Sequence, residues 1–167
     1  MWGFMSKKIC FIGHRDTGYY SIRELLKETI ENEIINGCKF FTMGTHGEFD
    51  KLALSVCREL RQKYKDIKIE VVITSLKAIE KQLLYNDNYG KEYYIPYSDV
   101  STVMYNIEET YFKKQIVVSN HNMINSCDTL ICYVNKNVGS SGAKSAMNYA
   151  IKRGLKIINI YPIKNIQ

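Results

Sequence analysis

Short apolar runs alternate with amphipathic stretches along nearly the whole chain, and this alternation restricts the fold more than any single motif. KKICFIG (7–13), KFFTMG (39–44), KIEVVIT (68–74), TLICYVN (129–135) and KIINIYP (156–162) read as strands, rich in β-branched and aromatic residues. Between the first two, Ile22, Leu25, Leu26, Ile30, Ile34 and Ile35 recur at helical spacing, with Ser21 as the expected N-cap and Gly37 as the stop. Leu52, Val56, Leu60 and Tyr64 repeat the pattern after the second run, and Met147, Ala150 and Ile151 after the fourth. Tyr111, Ile116, Met123 and Ile124 give a looser helical stretch before the fourth. Strands separated by helices require crossovers, so the expected fold is α/β and Rossmann-like: an about five-stranded, mainly parallel sheet with helices on both faces. Residues 75–106 break the rhythm, being tyrosine-rich and carrying Pro96, and read as an irregular, partly helical excursion.

A length of 167 residues suits one domain, expected to span residues 1–167. No apolar run approaches the ~18 residues a membrane span needs. Lys7 and Lys8 follow the first apolar residues instead of preceding them, unlike a signal peptide, so a cytoplasmic location is expected. Five cysteines, Cys10, Cys38, Cys57, Cys127 and Cys132, are scattered without C-x-x-C spacing and read as buried reduced thiols. His14, His46 and His121 lack ligand spacing, so neither a metal nor any cofactor is expected. The net charge of +6 raises the possibility of nucleic acid, but Lys and Arg interleave with Glu on helices, as in ELLKETIENE, which favours solvated faces.

An open parallel sheet binds ligands beyond the carboxyl ends of its strands. Gly13, His14 and Arg15 follow the first strand; Gly44, Thr45, His46, Gly47, Glu48 and Asp50 follow the second. Arg15 can fork onto a phosphate or pair with a local Asp. Gly44 and Gly47 can admit a ligand to the backbone or make a tight turn. Glu48 and Asp50 can cap the helix they open, bind ribose hydroxyls or act at a glycosidic carbon. After the fourth strand stands GSSGAKS (139–145), which fails as a P-loop because Ala143 separates Gly142 from Lys144. Gly139, Ser140, Ser141 and Gly142 still open a helix, a suitable seat for an anion. Tyr94 and Tyr97 are the tyrosines of the excursion placed to stack a base.

Taken in order, CFIGHR (10–15), FFTMGTHGEFDKLAL (40–54), SNHNMINSCDTLICYV (119–134) and GSSGAKSAMNYAIKRGLKIINI (139–160) resemble the SLOG superfamily, in particular its small standalone members. The resemblance leaves out only the excursion. It implies a Rossmann-like fold binding nucleotides or nucleotide-derived ligands, often as a homo-oligomer. It places Gly13, His14 and Arg15 in the first motif and Gly44, Gly47, Phe49 and Asp50 in the second. Asn120, Met123 and Asp128 fall in the third, and 139–142 in the last. Relatives include the Lonely Guy phosphoribohydrolases, DNA-processing proteins and nucleotide-signal sensors of prophage and antiviral settings. Two departures matter: Ser119 stands where an Arg is usual, and Ala146 falls where the phosphoribohydrolases carry a catalytic Glu.

The expected function is therefore binding of a nucleotide-derived small molecule, as a sensor or sequestering domain. The phosphate would lie at 139–142, assisted by Arg15 and Thr45, with Asp50 or Asn120 on the ribose. The first alternative is a nucleotide N-glycosidic hydrolase or a deoxyribosyltransferase-like enzyme using Glu48 or Asp50. The second is nucleic-acid binding, which the charge distribution disfavours, and no membrane partner is expected.

Overall fold

The computed structural model describes residues 7–17, 22–74, 97, 99–105 and 112–162. Among them the order is β1 (Lys8–Gly13), α1 (Arg23–Ile35), β2 (Phe40–Met43), α2 (Glu48–Lys63), β3 (Lys68–Val72), β4 (Ser101–Val103), α3 (Phe112–Asn125), β5 (Thr129–Tyr133), α4 (Gly142–Lys152) and β6 (Lys156–Asn159). The strands form one parallel sheet in the order β4-β3-β2-β1-β5-β6. Ile9 pairs with Phe41 on one side of β1, and Phe11 with Ile131 on the other. The chain thus builds outward from β1 in one direction, then returns and builds in the other, which places the reversal of strand order between β1 and β5.

The α/β expectation holds with six strands instead of about five. The additional strand, β4, lies within the stretch read as an irregular excursion; it is short, at the sheet edge, and its Ser101 and Thr102 are exposed. An edge strand of this composition carries no apolar alternation for a sequence to display. Ser21, the expected cap of α1, lies outside the described residues, as does Tyr94. Gly37 ends α1 as expected, with φ of 99°, a conformation glycine adopts without steric cost.

Helices cover both faces. Leu26 and Ile30 of α1 and Phe49, Ala53, Val56 and Leu60 of α2 pack on Phe11, Phe41, Met43 and Val71. Met123 and Ile124 of α3 and Ala146, Met147 and Ala150 of α4 pack on Cys10, Ile12, Leu130 and Cys132. Burying each large aliphatic or aromatic side chain is worth about 1.5–3 kcal/mol, so these two layers supply most of the drive to fold. The helical stripes are narrower than their apolar residues suggest: Leu25, Ile35 and Ile151 point outward. All five cysteines are buried and unpaired. No helix among the described residues is long and apolar enough to cross a membrane.

Gly13 shows how the packing sets up the crevice above β1. A Cβ there would lie 2.3 Å from the Phe49 ring, so the strand end and the first turn of α2 touch only because residue 13 lacks a side chain. Gly13→Val is expected to lower stability by about 1–3 kcal/mol through overpacking, read as a lower urea midpoint at unchanged m-value.

Candidate functional site

A cavity of about 370 Å³ opens where the strand order reverses, lined by Ile12, Gly13, His14, Arg15, His46, Asp50, Ile116, Asn120, Ser141, Gly142 and Ala143. It draws together residues from the loops after β1 and β2, from α3, and from the start of α4. Of the sequence candidates, Gly13, His14, Arg15, Asp50, Asn120, Ser141 and Gly142 line it. Gly44, Thr45, Gly47, Glu48, Gly139 and Ser140 are absent from its wall.

Several of these other residues shape the crevice indirectly. A Cβ on Gly47 would come within 2.8 Å of the Arg15 backbone, so this glycine lets the loops after β1 and β2 pass close to each other. The Glu48 N–H donates to the Arg15 carbonyl at 2.9 Å across that approach. The Glu48 carboxylate then accepts from the N–H and hydroxyl of Thr17 at 2.9 and 2.8 Å, and these bonds hold its pKa below the usual carboxylate value. Glu48 therefore organises the loop after β1, and its carboxylate is turned to Thr17.

His14 is also committed. Its N–H donates to the Tyr133 carbonyl at 3.2 Å, while its Nε2 accepts the Asn135 N–H at 2.8 Å. Accepting a backbone N–H requires an unprotonated Nε2, so the ring is neutral with its proton on Nδ1. Burial lowers its pKa in the same sense. The imidazole thus joins the loops after β1 and β5.

Asp50 is the one carboxylate among the lining residues. Its Oδ2 accepts the His46 N–H at 3.0 Å, and Gly44 makes room for it, since a Cβ there would stand 3.1 Å from Oδ2. The side chain thus ties down the loop before α2 and lines the cavity at once. Burial raises its pKa to about 6, the His46 hydrogen bond opposing only part of the shift. The neighbouring His46 is held neutral by burial and by the Arg15 guanidinium, with its Nε2 3.2 Å from the Thr74 hydroxyl.

The loop at 139–142 ends in a capped helix. The Ser141 hydroxyl accepts the Lys144 N–H at 3.1 Å, and its carbonyl accepts the Ser145 N–H at 2.9 Å. The N–H groups of Gly142 and Ala143, in the first turn of α4, have no intrahelical acceptor. Both residues line the cavity, so the positive end of the helix dipole faces into it. Lys144 Nζ donates to the Val138 carbonyl at 2.9 Å, tying down the loop's own turn. Ala146 is buried in the core.

A second cavity of about 410 Å³ adjoins the first, sharing His14 and Ser141 and adding Asp16, Thr17, Tyr133, Asn135, Val138, Ser140 and Tyr161. Ser140 belongs here. Tyr97, by contrast, packs against the core layer of α1 and α2. Sequence reasoning passed over Ile116, Ala143 and Tyr161, because nothing in their local patterns separates them from packing residues.

A doubly wound parallel sheet, with a helix N-terminus, an arginine and a half-buried carboxyl gathered at its switch point, defines a Rossmann-like α/β protein with a polar crevice. Residues 1–166 match the model of the YspA SLOG family, and the chain belongs to that family. The match extends through the 75–106 excursion that the motif comparison left out. No curated protein matches the chain.

Asp50 yields a pH prediction. The folded state keeps its proton up to about pH 6, whereas the unfolded chain releases it near 3.8. Folding therefore takes up a proton between those values, and stability falls as pH rises through that window and stays lower above it. Asp50→Asn keeps an acceptor for His46 and removes this loss. The variant should exceed the parent by about 1–2 kcal/mol at pH 7, the full two-unit shift discounted for the carboxyl's partial exposure, and match it near pH 3.5 in urea titrations.

Proposed function

We propose that the protein binds a nucleotide or nucleotide-derived ligand in this crevice, with the phosphate on the first turn of α4. The observation that carries the reading is the placement of the Gly142 and Ala143 N–H groups and Arg15 on one cavity wall system. Arg15 is exposed and makes no ion pair with any of the described residues, so it can fork onto phosphate oxygens without breaking a bridge. Asp50 of α2 and Asn120 of α3, which line the same cavity, suit ribose hydroxyls. The arrangement fits a sensor or sequestering domain.

Cleavage is the weaker reading. Glu48 is occupied by Thr17, and position 146 is a core alanine, which leaves Asp50 as the one carboxylate among the described residues that line the first cavity. With a pKa of about 6, Asp50 would be ionised at neutral pH and able to attack an anomeric carbon, as a deoxyribosyltransferase-like mechanism requires. Release of free base from a nucleoside monophosphate would favour this second reading; none is expected. Nucleic-acid binding gains no support from the described helices. Arg23 and Lys27 pair with Glu59, Lys63 with Glu31, and Arg58 and Arg61 with Asp99.

Arg15→Ala and Gly142→Val test the binding reading together. A Cβ on Gly142 meets nothing within 4 Å, so valine adds bulk at the crevice without disturbing the fold. Each variant should retain the parent's melting temperature alone and lose at least about 10-fold in affinity for a nucleoside monophosphate, seen as a reduced thermal shift. Undiminished shifts in both would place binding elsewhere.

A further inference from the structure

Two cavities meet at His14 and Ser141, and the proposed phosphate seat accounts for only one of them. The second differs in character. Its wall includes the aromatic rings of Tyr133 and Tyr161, whose centroids are 4.9 Å apart, with the neutral His14 ring edge-on to both at 6.2 and 6.4 Å. Tyr133 is buried, stacked on Phe49 with its hydroxyl donating to the Thr17 carbonyl, so it serves as backing. Tyr161 is half-buried and offers the remaining aromatic surface.

Tyr161 is held in place from behind. Asn159 exchanges two hydrogen bonds with the Val134 backbone, its Oδ1 accepting at 3.1 Å and its Nδ2 donating at 2.9 Å. The same Oδ1 accepts the Tyr161 N–H at 3.2 Å, so the segment leaving β6 is fastened to the end of β5. Thr17, which also lines this lobe, is fixed by Glu48. Among the polar groups lining this lobe are Asn135, whose Oδ1 accepts the Asn137 N–H at 3.0 Å and whose amide Nδ2 is a donor, and the exposed Ser140 hydroxyl, which can donate or accept.

We propose that this second lobe is the base site of the bound nucleotide: a planar heterocycle packs against Tyr161, with a carbonyl or ring-nitrogen acceptor directed to the Asn135 amide and Ser140. The proposal rests on the phosphate being seated at α4. Ser141, common to both cavities, marks where the ligand crosses from one to the other. Tyr161 is then a residue that sets base affinity, and Glu48 a positioning residue that holds Thr17 in the lining of the same lobe.

Calorimetric titration of AMP, GMP and ribose 5-phosphate into the parent protein and into Tyr161→Ala and Tyr161→Phe separates the two ideas. Aromatic stacking of a base predicts that Tyr161→Ala weakens AMP or GMP by about 5- to 100-fold. Ribose 5-phosphate, which lacks the base, should bind parent and Tyr161→Ala equally, and Tyr161→Phe should restore nucleotide affinity. Equal affinity of parent and Tyr161→Ala for the nucleotides would overturn the base site and leave the phosphate seat standing. So would an equal loss for ribose 5-phosphate, since a misfolded or displaced β6 segment would act on both ligands. Failure of all three ligands to bind the parent would overturn the phosphate seat and the base site with it.

Discussion

Two hydrogen bonds made by His14, one from its backbone to Tyr133 and one accepted by its ring from Asn135, join the loop after β1 to the loop after β5. These are the neighbouring strands from which the chain builds in opposite directions, so their outgoing loops diverge and leave a crevice between them. That fastening extends the pairing of β1 with β5 beyond the strands and helps to set the separation between the start of α4 and the Arg15 segment. The neutral imidazole suits the task, because a protonated Nε2 could not accept the Asn135 N–H. His14 entered as a candidate ligand residue, and its geometry makes it a brace that touches both cavities.

The same economy recurs around the crevice. Gly13 gives way to Phe49, Gly44 to Asp50 and Gly47 to the Arg15 backbone, so each of these glycines is explained by a specific close approach. Glu48 holds Thr17, and Thr17 holds Tyr133, a chain of contacts from the start of α2 to the end of β5. The residues at this end of the sheet thus divide between two jobs: Glu48, His14 and the glycines brace the loops, while Arg15, Asn120 of α3 and the first turn of α4 line the space between them, and Asp50 does both.

Much of this was legible in the chain. β1, β2, β3, β5 and β6 are short apolar runs flanked by helical patterns, and the burial of most residues of β1, β2, β3 and β5 made them readable, while β6 at the sheet edge keeps Ile157 and Ile158 half-buried. β4 was not legible, because Ser101, Thr102 and Val103 form a short edge with two exposed polar residues and a single half-buried apolar one, too little for a pattern to display. The position of the crevice followed from strand order and loop composition. Roles within it did not, since a carboxylate's partner can lie far away in sequence: Glu48 is claimed by Thr17, 31 residues distant. Tyr161 was hidden for a similar reason, as it follows the last strand and is placed in the lobe by bonds to distant residues, those of Asn159 to Val134 and that of the Ile160 N–H to Cys132.

The central claim is that backbone N–H groups at the start of α4, together with Arg15, hold a phosphate. Amide chemical shifts of the protein titrated with AMP address those groups directly. The account predicts saturable shifts largest at Gly142 and Ala143, accompanied by the Arg15 side-chain Nε–H, with the outer faces of α1 and α2 unmoved. Shifts concentrated on the lysines and arginines of α1 and α2, with Gly142 and Ala143 unchanged at saturation, would contradict it.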